Sequence, residues 1–154
     1  MAISFRLNGV MVSSEAEDDA PLLYVLRNDF GLNSPKFGCG KAQCGSCRII
    51  VGGEVAPSCI VSLGEVSGRE VETLEGIGTP DALHPLQQAF LAEQAAQCGY
   101  CTAGMIMAAK ALLDHNTDPT DEDIRQALER NLCRCGTYPR ILKAVHRAAR
   151  EMAG

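Results

Sequence analysis

Between Ile3 and Leu7 the apolar residues fall on every second position, with Ser4 and Arg6 between them. That period marks a strand with one buried face. Asn8-Gly9 follows, a pair that tolerates the backbone of a two-residue hairpin turn, and Val10 and Val12 resume the alternation. Pro21 opens a short helix carrying Leu22, Leu23, Leu26 and Phe30, and Gly31 stops it. Arg48 to Val51 reads as a strand, Gly52-Gly53 as a turn and Val71 to Leu74 as a last strand. From about residue 83 the period changes to that of a helix. Pro85 sits at a first helical turn above Leu86, Phe90 and Leu91, and Gly104 to Asp114 carries Met105, Ile106, Ala109 and Leu112. Thr120 with Asp123 resembles a capping box ahead of Ile124 and Leu128, and Pro139 opens a final helix with Ile141, Leu142, Val145 and Met152.

The change of period divides the chain. Residues 1–76 predict a small β-grasp-like sheet wrapped on one helix, and residues 77–154 a compact bundle of four short helices. The fold class is therefore α+β. The segment TLEGIGTPDALH, with its Gly and Pro, reads as the linker.

Composition removes several classes of function. The chain has 154 residues and a net charge of -5, which gives no nucleic-acid footprint. Its apolar runs fall far short of the roughly 20 residues that a membrane span needs. The opening MAISFRLNG has no apolar core of a signal peptide and no twin-arginine pair, so a cytoplasmic chain is expected, with any membrane association supplied by a partner. Disulfides are uncommon in that compartment, yet there are eight cysteines.

Four of them, Cys39, Cys44, Cys47 and Cys59, are spaced Cys-x4-Cys-x2-Cys and then eleven residues to the last. That start is the plant-type [2Fe–2S] pattern. A cluster held by four thiolates is anionic and needs hydrogen-bond donors around it. Gly38, Gly40 and Gly45 let the loop turn its N–H groups towards sulfur, and Cys59 arrives from a later strand. The other four are Cys98, Cys101, Cys133 and Cys135. The first pair lies at the start of one predicted helix and the second between the last two, so helix ends can bring them to one centre. Four and four leave none over. A disulfide framework fits poorly without a signal peptide, and zinc knuckles usually pair two Cys-x2-Cys units. Attached haem needs a His after Cys-x-x-Cys, where Arg48 and Thr102 stand. Two [2Fe–2S] clusters explain the octet best. His84, His115 and His146 are isolated and read as surface or capping residues.

GCGKAQCGSC, QCGYCTAGMIMAAKALL and NLCRCGTYPRI, in this order, resemble the iron–sulfur subunit of the molybdenum hydroxylases, the xanthine dehydrogenase and aldehyde oxidoreductase family. The resemblance runs across nearly the whole chain. It implies a plant-ferredoxin-like [2Fe–2S] domain followed by a helical [2Fe–2S] domain. It also implies a large partner subunit that holds molybdopterin cytosine dinucleotide and hydroxylates an aldehyde or an electron-poor heterocycle. Electrons would leave that partner one at a time through Cys98, Cys101, Cys133 and Cys135, and then through Cys39, Cys44, Cys47 and Cys59. Gln97 and Cys135 match positions that touch the pterin. No residue of this chain would be catalytic. HPLQQAFLAEQAAQCGYCTAGMIM and CRCGTYPRI look nearest to the small subunits of nicotinate dehydrogenase and isoquinoline 1-oxidoreductase, which makes nicotinate the first substrate to expect. The acceptor would be cytochrome c domains or a flavin subunit. The other readings are a stand-alone ferredoxin and the small subunit of an aldehyde oxidoreductase. Ser46, where many relatives have Ala, adds a hydroxyl beside the outer cluster. Arg134, Arg140, Lys143, Arg147 and Arg150 form a basic set that could meet an acidic patch of the partner.

Overall fold

The computed structural model describes all residues, Met1–Gly154. Strands β1 (Ile3–Leu7) and β2 (Val10–Ser14) form the expected hairpin, and both Asn8 and Gly9 take positive φ at its turn. Helix α1 (Leu22–Asn28) follows, with Pro21 in extended backbone just ahead of it. β3 (Arg48–Val51) and β4 (Glu54–Pro57) form a second hairpin, and β5 (Glu70–Glu72) joins the two. The sheet order is β2-β1-β5-β3-β4, with β1 and β5 parallel and the other pairs antiparallel. Phe5, Ile49, Val51 and Val71 from the strands close over Leu22, Val25 and Leu26 of α1.

The helical half contains α2 (Leu74–Ile77), α3 (Pro85–Ala92), α4 (Thr102–His115), α5 (Asp121–Ala127) and α6 (Tyr138–Ala153). Leu86, Phe90, Met105, Ile106, Leu113, Ile124, Ile141 and Val145 fill its core. Ala109, Ala144 and Ala148 are fully buried. Such small residues let helices approach closely in a chain with no Trp and few aromatics.

β3 explains how the halves join. Ile49 and Val51 face the α1 core, while Ile50 points the other way and packs on Met107 and Ala111 of α4. Both faces are covered, so Ile-Ile-Val reads as an unbroken apolar run. Three expectations are corrected. The last strand is Glu70–Glu72, because Leu74 opens α2 and is half-buried at the seam. The segment read as a linker is built structure: Leu74 and Ile77 pack between the halves, and Thr79 bridges to Ala82. The helices are not uniformly short, since α4 has 14 residues and α6 has 16. No helix is long and apolar enough to cross a membrane.

Candidate functional site

All eight cysteines are free thiols. The first four lie on the loop between α1 and β3 and on the turn after β4. Cys59 stands in that turn rather than in a strand, and the turn is fixed by Ser58, whose Oγ donates to Cys47 O at 2.6 Å. The Cys47 and Cys59 thiols are thereby brought next to each other. The Cys39 and Cys44 side chains likewise stand next to each other. Backbone N–H groups converge on their sulfurs: Lys41 at 3.3 Å and Gln43 at 3.2 Å on Cys39, and Cys39 at 3.4 Å on Cys44. Burial pushes the Cys39 thiol up, but the N–H groups of Lys41, Gln43 and Cys44 outweigh it and bring the thiol down to about 7. Burial, with the Cys59 thiol beside it, pushes Cys47 up to about 11. The loop can close this tightly only with Gly38, because a Cβ there would lie 2.6 Å from Cys44 Sγ. Ser46 Oγ stands 3.5 Å from Cys44 Sγ, where the sequence placed a hydroxyl.

The second four are held by helix ends. Cys101 is the N-terminal flanking residue of α4, and Cys133 precedes α6 by one turn. Their thiols are neighbours on one cavity wall. Thr137 places its hydroxyl 3.1 Å and its N–H 3.5 Å from Cys133 Sγ. Burial, with the Cys133 thiol next to it, pushes Cys101 up to about 12. Burial acts upward on Cys133 too, but Thr137 and Cys101 outweigh it and bring that thiol down to about 7. Cys98 and Cys135 are exposed, as is Gln97. The structure thus pairs Cys101 with Cys133 and leaves Cys98 and Cys135 at the rim.

No three His, Cys, Asp or Glu side chains stand close enough together to grip one metal ion. The thiols come together two by two instead. A [2Fe–2S] group takes four thiolates, two at each iron. Paired thiols, an N–H cradle and helix N-termini are the chemistry that such an anionic group requires. The residues fit it.

The two quartets are also joined. One cavity of about 380 Å³ is lined by Cys39 and Cys44 from the first, and by Cys98, Cys101 and Cys133 from the second. Leu132 N–H, adjacent to Cys133, donates to Cys44 O at 2.8 Å. Tyr100, between Cys98 and Cys101, donates its hydroxyl to Phe37 O, two residues from Cys39. Sequence reasoning did not find Thr137, Leu132, Tyr100 or Arg48. Thr137 alone left a trace, as a hydroxyl four residues after Cys133. The histidines fall as expected, with His84 capping α3 by accepting from Leu86 N–H on Nδ1 at 3.1 Å. Two of the basic set are engaged within the chain: Arg147 pairs with Glu93 and Glu151, and Arg140 reaches Gln94 O.

Eight free thiols, five of them around one cavity between the two halves, are the chemistry of an iron–sulfur protein. Residues 5–76 match the 2Fe-2S iron-sulfur cluster binding domain, and residues 73–146 match the [2Fe-2S] binding domain. The chain is 56% identical to a nicotinate dehydrogenase subunit of Pseudomonas putida over 96% of its own length and 94% of that protein. It is 51% identical to the alpha subunit of isoquinoline 1-oxidoreductase from Brevundimonas diminuta, over 98% of this chain and 99% of that one. Among solved structures, the aldehyde oxidoreductase from Desulfovibrio desulfuricans superposes with a TM-score of 0.96 at 44% identity, covering 99% of this chain and 17% of that longer chain. The chain belongs to the family of two-domain [2Fe–2S] subunits of oxidoreductases, and its part in such an enzyme is electron transfer.

Proposed function

We propose that this chain carries electrons from the molybdenum centre of a large molybdopterin-binding partner to an acceptor outside the complex, and that the partner hydroxylates nicotinate. The observation that carries the reading is the junction of the two quartets, which share one cavity and the Leu132 N–H to Cys44 O hydrogen bond. A stand-alone ferredoxin has no use for a second site wired to the first. The [2Fe–2S] groups supply one-electron storage at each site. The protein's own residues do the rest. Cys98, Cys101, Cys133 and Cys135 hold the inner group, and Cys39, Cys44, Cys47 and Cys59 the outer one. The N–H groups of Lys41, Gln43 and Cys39 and the hydroxyl of Thr137 offset the negative charge.

Gln97 and Cys135 are exposed beside the inner site, open to a pterin carried by the partner. The finer architecture follows the same reading: a β-grasp, plant-ferredoxin-like domain over residues 1–76 and a four-helix-bundle domain over 77–154. A haem or flavin group outside this chain takes the electrons from the outer site. The likeness to the nicotinate dehydrogenase chain favours nicotinate, and that to the isoquinoline enzyme's chain makes isoquinoline the competing substrate.

Co-expression with the molybdopterin-binding partner tests the proposal. The purified complex should contain iron and acid-labile sulfide in equal amounts and give two distinct paramagnetic signals when nicotinate is added anaerobically. Reduction by isoquinoline or an aldehyde, and not by nicotinate, would reassign the substrate. A single signal, or none with the fold intact, would overturn the electron-transfer reading.

A further inference from the structure

Three of the ten arginines form ion pairs: Arg6 with Glu70, Arg125 with Asp121, and Arg147 with Glu93 and Glu151. Of the seven unpaired ones, Arg48 and Arg130 meet the loop of the outer site. Neither has a carboxylate within 4.0 Å. Arg48 is half-buried at the start of β3, directly after Cys47. It lies on the same sheet face as Ile50, the face turned to α4, where water has restricted access. Its backbone N–H donates to Gly45 O at 3.1 Å. Arg130 comes to the same glycine from the other half, its carbonyl so close that a Cβ on Gly45 would lie 2.6 Å away. The main chains of both arginines therefore meet Gly45, the residue after Cys44. Arg48 feels the charge of Arg130 and the Cys47 and Cys44 thiols.

Two cations that repel each other, one of them half-buried and neither paired, are costly unless an anion lies nearby. Arg48 has no carboxylate within 4.0 Å, and the one carboxylate lining the cavity beside Cys39 and Cys44 is that of Glu129, next to Arg130 in the chain. The anion that adjoins Arg48 in the chain is the four-thiolate group of the outer site, which becomes more negative by one when it accepts an electron. Net charge around an iron–sulfur group is one of the settings of its reduction potential. We propose that Arg48 and Arg130 are positioning charges that raise the reduction potential of the outer site and so draw the electron outward. This rests on the assignment of the quartets made above. One electron leaves the inner site and arrives at the outer one; no bond breaks and no proton moves. Arg134, on the inner site's loop, is exposed, so solvent screens it more than it screens half-buried Arg48.

The test is a reductive titration of the purified complex followed by electron paramagnetic resonance, with the outer signal identified as the one altered in Cys59→Ser. In Arg48→Gln the reduced-to-oxidised ratio of the outer site, read at a fixed potential, should fall on the order of tenfold, the effect of a unit charge at roughly 10 Å in a medium of effective dielectric about 20. The inner signal should stay in place, and Arg48→Lys should restore most of the ratio. Arg130→Gln, a substitution at an exposed residue, should move the same signal in the same direction by less. If Arg48→Gln fails to fold or to load iron, Arg130→Gln decides alone. An unmoved outer signal, or an equal shift in Arg48→Lys and Arg48→Gln, overturns the role of these charges while leaving the electron-transfer reading intact. Absence of both signals in the unaltered complex would instead strike at that reading.

Discussion

A single hydroxyl at Ser46 separates this loop from one with Ala in the same place, and its geometry gives it an effect. Ser46 is buried and its Oγ is 3.5 Å from Cys44 Sγ. A hydrogen bond to sulfur stabilises the more negative, reduced state of an iron–sulfur group. Ser46→Ala should therefore lower the potential of the outer site and leave the inner signal where it is, in the same titration that tests Arg48. His84 gives a second residue-scale expectation. Its Nδ1 accepts from Leu86 N–H, so the ring must be unprotonated there, while Gln87 answers the His84 N–H at 2.9 Å. Burial, helped by the charge of Lys110, lowers its pKa from the ordinary 6.5. The unfolded chain then binds the proton more readily, so the contribution of His84 is complete above about 6.5 and is lost as pH falls through the folded value. His84→Asn keeps a capping acceptor and should flatten that acid decline. His84→Ala should cost about 1 kcal/mol at neutral pH, read from urea unfolding.

Between elements, the contact that matters is glycine on glycine. A Cβ at Gly104 of α4 would lie 2.0 Å from Gly45 O, which is backbone and cannot swing away. The outer loop rests directly on the first turn of the helix that carries Cys101. Gly104→Ala should destabilise the fold by roughly 1–3 kcal/mol in urea unfolding, because backbone must shift to relieve the overlap. It should also weaken the magnetic interaction between the two reduced sites as the loop lifts from α4. This scale is also where the sequence told least. Strand alternation, the Asn8-Gly9 turn and the Thr120–Asp123 cap were legible because each is a local pattern within a few residues. The two [2Fe–2S] domains were legible because thiol spacing is itself a signature. The contacts of Leu132 with Cys44, of Tyr100 with Phe37 and of Gly104 with Gly45 join residues tens of positions apart, and no periodicity records them. Leu74 and Ile77 misled for a related reason. Their Gly- and Pro-rich surroundings read as linker, while their apolar side chains were already committed to the seam.

For the molecule as a whole, that seam decides whether the two halves behave as separate bodies. Ile50 of the sheet is 4% exposed, and it owes this to Met107 and Ala111 on α4. Lys110 of the same helix reaches Glu72 of β5 at 3.0 Å, so the seam carries an ion pair beside its apolar contact. A sheet half expressed alone as residues 1–76 would expose Ile50, Val55 and Leu74 together, and the helical half would expose Met107 and Ala111. Neither loss is small beside the stability of a domain of this size, which is of the order of 5–15 kcal/mol. The intact chain should unfold in one cooperative step, with loss of helix and loss of the outer site's visible absorption following the same urea curve. Ile50→Asp, which buries a charge against α4 without touching either quartet, should shift that whole curve to lower urea. Two separated transitions in the unaltered chain would show that the halves are independent and that the seam is only contact. A single transition would mean that the spacing between the two sites is fixed by a shared core, which is what a reproducible rate of electron passage requires.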